Sequence, residues 1–266
     1  MWYNIAMASQ WAAKRKLLYA VIVAVFVVVA IGLPLFLFLY KTPACFDGIK
    51  NQDEKGVDCG GVCAKICAED IAAPIVMWQR AFRVTAGVYN VVAYVQNPNV
   101  LNRVDDIGYV FRLYDKDNEV IAERTGRTFL PANKTFAVFD AGIRTGERVP
   151  VRTSFDFTGS PLWIQNPENY KESFIVAENV VLIDDSSSPR INASVRNLSL
   201  DTVKVLGVVA IVYDASDKAI AASRTVVENL PAQGVAPVTF TWPDRFSDLA
   251  VRKEIILRTY PSGFAF

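Results

Sequence analysis

Hydrophobic positions along this chain follow two rhythms. Residues 17–40, LLYAVIVAVFVVVAIGLPLFLFLY, are 24 positions without a charge. At helical rise they span about 36 Å, enough to cross a hydrocarbon core of about 30 Å. Beyond residue 70 the apolar runs are short and many alternate. Ile107, Tyr109, Phe111 and Leu113 alternate with Gly108, Val110 and Arg112, the period-two signature of a strand with one buried face. Val203, Val205, Gly207, Val209 and Ile211 are read as a second such face, although the positions between them are also mostly apolar.

The pattern predicts strands over 75–84, 87–96, 107–115, 119–129, 135–140 and 148–157, and again over 174–183, 190–197, 203–214, 218–227, 237–242 and 251–260. Turn-formers separate them, as in Asp115-Lys-Asp-Asn118 and Asp214-Ala-Ser-Asp217. The two sets are copies. Val95-Gln96-Asn97 matches Val195-Arg196-Asn197, Tyr114-Asp115 matches Tyr213-Asp214, and Leu130-Pro131 matches Leu230-Pro231, all at offsets of 99 or 100. Six short strands per copy, with no amphipathic helix of ordinary length, imply two tandem antiparallel β-sandwiches, an all-β fold behind one membrane helix.

Charge sets the orientation. Of 28 basic and 27 acidic residues, three basic and no acidic ones lie in the first 40, leaving 25 basic and 27 acidic, net −2, beyond. Lys14, Arg15 and Lys16 precede the apolar run and Lys41 alone follows it closely. The positive-inside rule then places residues 1–16 in the cytoplasm, 17–40 in the membrane and 41–266 outside. The run exceeds the 7–15 residues of a signal-peptide core, which favours an uncleaved anchor over cleavage after Ala44. Acylation at Cys45 would lack an aliphatic residue at position 42 and would leave three cysteines unpaired in number. The near-neutral outer segment offers no clustered basic surface for nucleic acid.

All four cysteines, Cys45, Cys59, Cys63 and Cys67, fall within residues 45–67. Outside the cytoplasm they read as two disulfides, with three pairings open. Their spacing fits no common zinc finger, and no C-x-x-C pair suggests redox chemistry. The intervening Asp47, Asn51, Asp53, Glu54 and Asp58 are hard oxygen donors of the kind calcium takes, although no D-x-D-x-D-G loop frames them; a solvated acidic turn is the alternative. Cys45, Asp47, Gly48, Asn51, Glu54, Gly56, Asp58, Cys59, Gly60, Gly61 and Cys63 spell C-x-D-G-x-x-N-x-x-E-x-G-x-D-C-G-G-x-C. This resembles a cysteine motif of bacterial secreted and surface proteins, which implies an extracytoplasmic setting.

Phe111-Arg-Leu-Tyr-Asp115 in the first copy and Ala210-Ile-Val-Tyr-Asp214 in the second, with the preceding V-x-N and the later Leu-Pro, resemble the FxLyD family of immunoglobulin-like modules. The resemblance implies an envelope setting and no shared active site. On physical grounds Phe111, Leu113, Ile211 and Tyr213 are packing residues, and Asp115 and Asp214 start turns by accepting bonds from the backbone ahead. The order of anchor, cysteine segment and two sandwiches also resembles single-pass envelope proteins of candidate-phylum bacteria.

The chain has no histidine, which excludes Ser-His-Asp and Cys-His catalysis and histidine-ligated zinc. No G-x-G-x-x-G, P-loop or G-x-S-x-G occurs either, so no enzyme and no cofactor other than calcium is expected. Arg144, Arg148 and Arg152, on a loop without a counterpart in the second copy, form a candidate binding edge. Trp163 and Tyr170, in the linker 161–172, are expected to plug the seam between a sandwich at 71–160 and another at 173–266, behind a cysteine-rich stalk at 41–70; glycan binding is the alternative for these two rings. The expected function is a membrane-anchored envelope protein presenting two modules to an envelope protein or to its own copies. The alternative is a ligand-binding or sensory ectodomain that works with a membrane partner.

Overall fold

The computed structural model describes residues 3–39, 44–51, 53–165, 174–183 and 188–260. Residues Met1–Asp58 and Cys59–Phe266 form two compact units. Tyr40, Lys41 and Tyr170, used above, lie outside the described residues. In the first unit a helical rod runs through α1 (Tyr3–Val27), a π-turn (Val28–Gly32) and α2 (Leu33–Leu39). Its segment Arg15–Phe36 has mean hydropathy 2.8 and is wholly exposed, long and apolar enough to cross a membrane. The wide turn has a local cause. Pro34 carries no N–H for the carbonyl of Ala30, and its ring crowds that carbonyl, so the ladder opens just before it.

In the second unit every strand pairing among the described residues is antiparallel. The first copy of the repeat folds as β1 (Ile75–Thr85), β2 (Val88–Asn97), β3 (Asn102–Tyr114), β4 (Val120–Leu130), β5 (Lys134–Arg144), β6 (Arg152–Thr158) and β7 (Trp163–Gln165). The second copy folds as β8 (Ile175–Ile183), β9 (Arg190–Asn197), β10 (Val203–Tyr213), β11 (Ala219–Leu230), β12 (Val235–Thr241) and β13 (Arg252–Thr259). The strands form four sheets, ordered β1-β2-β5, β4-β3-β6 with β7 on β3, β12-β9-β8 and β11-β10-β13. Each copy therefore builds the same pair of sheets.

Each sandwich has its own core. Val91, Ala93, Val95, Phe111, Leu113 and Phe136 fill the first, and Ile191, Val195, Leu206, Val208, Val212 and Phe240 the second. Identical devices fasten both. Buried Asn97 donates through Nδ2 to the carbonyls of Asn102 and Pro131 and accepts at Oδ1 from Asn99 N–H. Buried Asn197 donates to Asp201 and Pro231 and accepts from Ser199 N–H. The repeated Val-x-Asn and Leu-Pro are thus two ends of one clamp. Asp115 accepts from the N–H groups of Asp117 and Glu119, and Asp214 from those of Ser216 and Lys218, the turn-starting role expected of them.

The two sandwiches are themselves stacked. A third apolar cluster joins Phe82, Val92, Ala137 and Phe139, on the outer face of β1-β2-β5, to Val209, Ile211, Tyr213, Ala222 and Ile256 on the outer face of β11-β10-β13. The result is four sheet layers and three apolar seams. Polar groups lock the middle seam. Tyr94 and Tyr213 both donate to Glu254, at 2.6 and 3.0 Å; burial chiefly, and then that carboxylate, push both phenols up. Arg258, 5% exposed, donates to the carbonyls of Ala137 and Phe129 and to Thr128 Oγ1 across the seam.

Three expectations are corrected. The core of the second sandwich takes Leu206, Val208, Ala210 and Val212, whereas Val209 and Ile211, with Tyr213, face the other sandwich. Trp163 plugs the first sandwich's own core rather than the seam between the two. The latter part of the cysteine segment is no separate stalk. Ile66 N–H donates to the Trp163 carbonyl, Gln165 N–H to that of Ala64, and Lys65 bridges to Ile164, which stitches the segment to β7.

Candidate functional site

All four cysteines are disulfide-bonded, and Cys59 pairs with Cys67. Between Ala44 and Asp58 the acids work on the backbone. Asp47 accepts from Ala44 and Ile49 N–H, and Asp58 from Asp47 and Gly48 N–H. Buried Glu54 accepts from Asn51 and Asp58 N–H. Asn51 Nδ2 donates to Asp47 at 2.7 Å, while Asp53 is exposed and shares none of these bonds. Three of the five candidate calcium donors, Asp47, Glu54 and Asp58, are thus brought together as acceptors for turn amides, and Asn51 joins them as a donor to Asp47. Gly48, at φ 72°, allows the tight bend over Asp58. The polar positions of the cysteine motif are, physically, the hydrogen-bond set that folds the segment.

The arginine edge is divided. Arg148 pairs with Asp115 at 3.3 Å and Glu119 at 2.9 Å. Arg152 donates to Asn118 Oδ1 and lies over the Tyr114 ring at 3.5 Å. Both brace the β3–β4 turn, and the second copy repeats the device with Arg252 on Asp217 and over Tyr213 at 3.6 Å. Arg144 stands apart on the exposed end of β5, beside Ile121 and Glu123.

A site that the sequence reading did not single out opens at the seam. A cleft of about 510 Å³ is lined by Arg124, Asp140 and Tyr109 of the first sandwich and by Arg224, Arg258 and Tyr260 of the second. Asp140, half-buried, accepts from Tyr109 Oη at 2.8 Å. Burial raises its pKa, against the pull of that bond and of the nearby Arg124 and Arg224 guanidinium groups. Arg224 donates to the Phe139 carbonyl at 3.1 Å. No motif announces this constellation, because its members come from both copies and meet only when the copies stack.

The sequence matches no protein-family model and no curated protein. Among solved structures, the chain is similar to the crystal structure of red sea bream transglutaminase, at 11% identity and TM-score 0.21 over 63% of this chain and 27% of that one. It is similar also to a β-glucuronidase of glycoside hydrolase family 2, at 13% identity and TM-score 0.18 over 57% of this chain and 11% of that one. The chain thus spans about a quarter and a tenth of the lengths of those two proteins.

Proposed function

We propose that this protein is a single-pass, membrane-anchored protein of the cell envelope that presents two immunoglobulin-like modules of the FxLyD kind outside the membrane, as one stacked body for structural or protein-interaction roles. One observation carries the reading: an uncharged helical run has Lys14, Arg15 and Lys16 on one flank and disulfide-bonded cysteines on the other. The charges orient the run, and the disulfides belong to an oxidising compartment. The placement of the FxLyD residues supports the module assignment, with Phe111 and Leu113 in a core and Asp115 and Asp214 starting equivalent turns. No paired catalytic acids enter the reading, and the protein is taken as a non-enzyme.

Protease added to intact, sealed cells tests it. The expected outcome is removal of residues beyond the helix and retention of a membrane-bound fragment with the native N-terminus. Modules that survive while the envelope is demonstrably permeable to the protease, or a mature chain that begins at a lipid-bearing Cys45, overturn it. A second reading, a ligand-binding ectodomain that works with a membrane partner, is favoured by the charged cleft between the modules.

A further inference from the structure

The geometry points to a binding site for an anionic saccharide in the cleft at the seam, with the acid group held by Arg124 and Arg224 and a sugar hydroxyl by Asp140. The inference rests on the ligand-binding reading alone; the anchor and its orientation do not depend on it.

Strand register brings the three charges to one opening. Arg124 lies opposite Phe111 and Asp140 opposite Val91, both core residues, so each side chain points between the sheets from an edge strand, β4 or β5. Arg224, on edge strand β11, lies opposite Val209 and so faces the first sandwich, where it reaches the carbonyl of Phe139, the neighbour of Asp140. Other arginines of the sandwiches are closed by acids, Arg112 by Glu123 and Asp156 and Arg196 by Glu178, and at the cleft itself Arg127 is closed by Asp106. Arg124 and Arg224 differ. Among the described residues no ion pair joins Arg124 or Arg224 to a carboxylate, although both act electrostatically on Asp140. Two guanidinium groups facing one carboxylate across open space favour an incoming acid, which planar N–H forks bind well.

The remaining surface selects a sugar over a bare anion. Tyr109 uses one oxygen of Asp140, Oδ2, and leaves Oδ1 for a ligand hydroxyl. The rings of Tyr109 and Tyr260 lie against glycines, one from each module. A Cβ on Gly126 would stand 2.3 Å from Tyr109 Oη, and one on Gly207 would stand 2.8 Å from the Tyr260 ring. Tyr260, partly exposed and lining the cleft, adds aromatic surface on which the C–H side of a sugar ring can pack. A volume of about 510 Å³ lies within the range of small-molecule sites.

Calorimetric titration of the full chain, held in neutral zwitterionic micelles, tests the site with galacturonic acid, galactose 6-phosphate, galactose and inorganic phosphate as probes. At least one sugar acid should bind ten-fold or more tighter than both galactose and inorganic phosphate. The tighter of the two identifies the acid group as carboxylate or phosphate. Arg124→Gln should weaken that binding at least five-fold without lowering the unfolding temperature, since this side chain makes no hydrogen bond among the described residues; Arg224→Gln should compound the loss. Absence of binding by both sugar acids, equal binding of galactose or of inorganic phosphate, or unchanged affinity in Arg124→Gln would each overturn the proposal. None of those results would alter the protease pattern that tests the anchor.

Discussion

The sheets β4-β3-β6 and β11-β10-β13 are the same element of the repeat, yet one faces solvent and the other faces its neighbour. In the first, Arg112 is cross-strand to Glu123 and paired with Asp156, an exposed charged lattice. At the equivalent places in the second stand Ile211, Ala222 and Ile256, all buried against the first sandwich. The other pair of sheets diverges in the opposite sense. Trp78, Val92, Tyr94 and Phe139 of β1-β2-β5 meet the seam, whereas the matching Glu178, Asn192, Ser194 and Thr239 form a polar face with a Glu178–Arg196 pair and a Thr239–Asn192 bond. The framework is inherited through inward-facing residues, and assembly is written on the outward-facing ones.

Exchanging residues between the copies is the most severe way to break this contrast. Ile211→Arg restores the first copy's residue in a packed apolar seam, where it must be desolvated and must compete with Tyr94 and Tyr213 for the cross-strand Glu254, and should cost roughly 3–5 kcal/mol in denaturant unfolding. The reverse exchange, Arg112→Ile, removes only exposed pairs. It should change stability by no more than about 1 kcal/mol while promoting self-association, read by sedimentation. Next in size is Arg258→Ala, which strips the carbonyls of Ala137 and Phe129 and the Thr128 hydroxyl of a buried donor. A loss of roughly 3 kcal/mol is expected, with an unfolding transition that splits in two as the modules uncouple.

Asn97→Ala and Asn197→Ala sharpen the inherited side of the comparison. Each removes a buried amide that satisfies two carbonyls, and each should cost roughly 2 kcal/mol. Losses that differ widely would show that the clamp is no longer shared. The smallest effect is a pH dependence at Asp140. Burial holds its folded pKa above the unfolded value, so its ionised form is disfavoured in the native state and the penalty is fully present at neutral pH. Asp140→Asn should therefore stabilise the protein near pH 7. The gain should fade as pH falls through the raised pKa and vanish below the ordinary carboxylate range, as checked by unfolding at a series of pH values.

What was legible in the sequence follows the same division. Strands declared themselves wherever one face was buried and the other wet, as in Ile107–Leu113, and the register of the repeat exposed the Asn clamps and Asp turns. The stacking was written only as a loss of alternation in β10, where L-G-V-V-A-I-V-Y is apolar on both faces. With both faces apolar, alternation marks Val209 and Ile211 as buried but cannot tell core from seam, since a one-residue change of parity exchanges the two. β7 was missed because three residues, Trp163–Gln165, carry too short a pattern. The charged cleft was invisible for a different reason. Arg124, Asp140 and Arg224 are far apart in sequence and ordinary in type; pairing of the two sheets of the first sandwich brings Arg124 to Asp140, and only docking of two unlike faces adds Arg224.

A head-to-tail joint between unlike surfaces leaves one surface of each kind unused, and such joints can run on without limit. Here each spare surface wears a coat of ionic or amide side chains, so neither presents an apolar face to a further copy. A third module spliced after the second would find nothing to grip unless Glu178, Asn192 and Thr239 were first rewritten as Trp, Val and Phe.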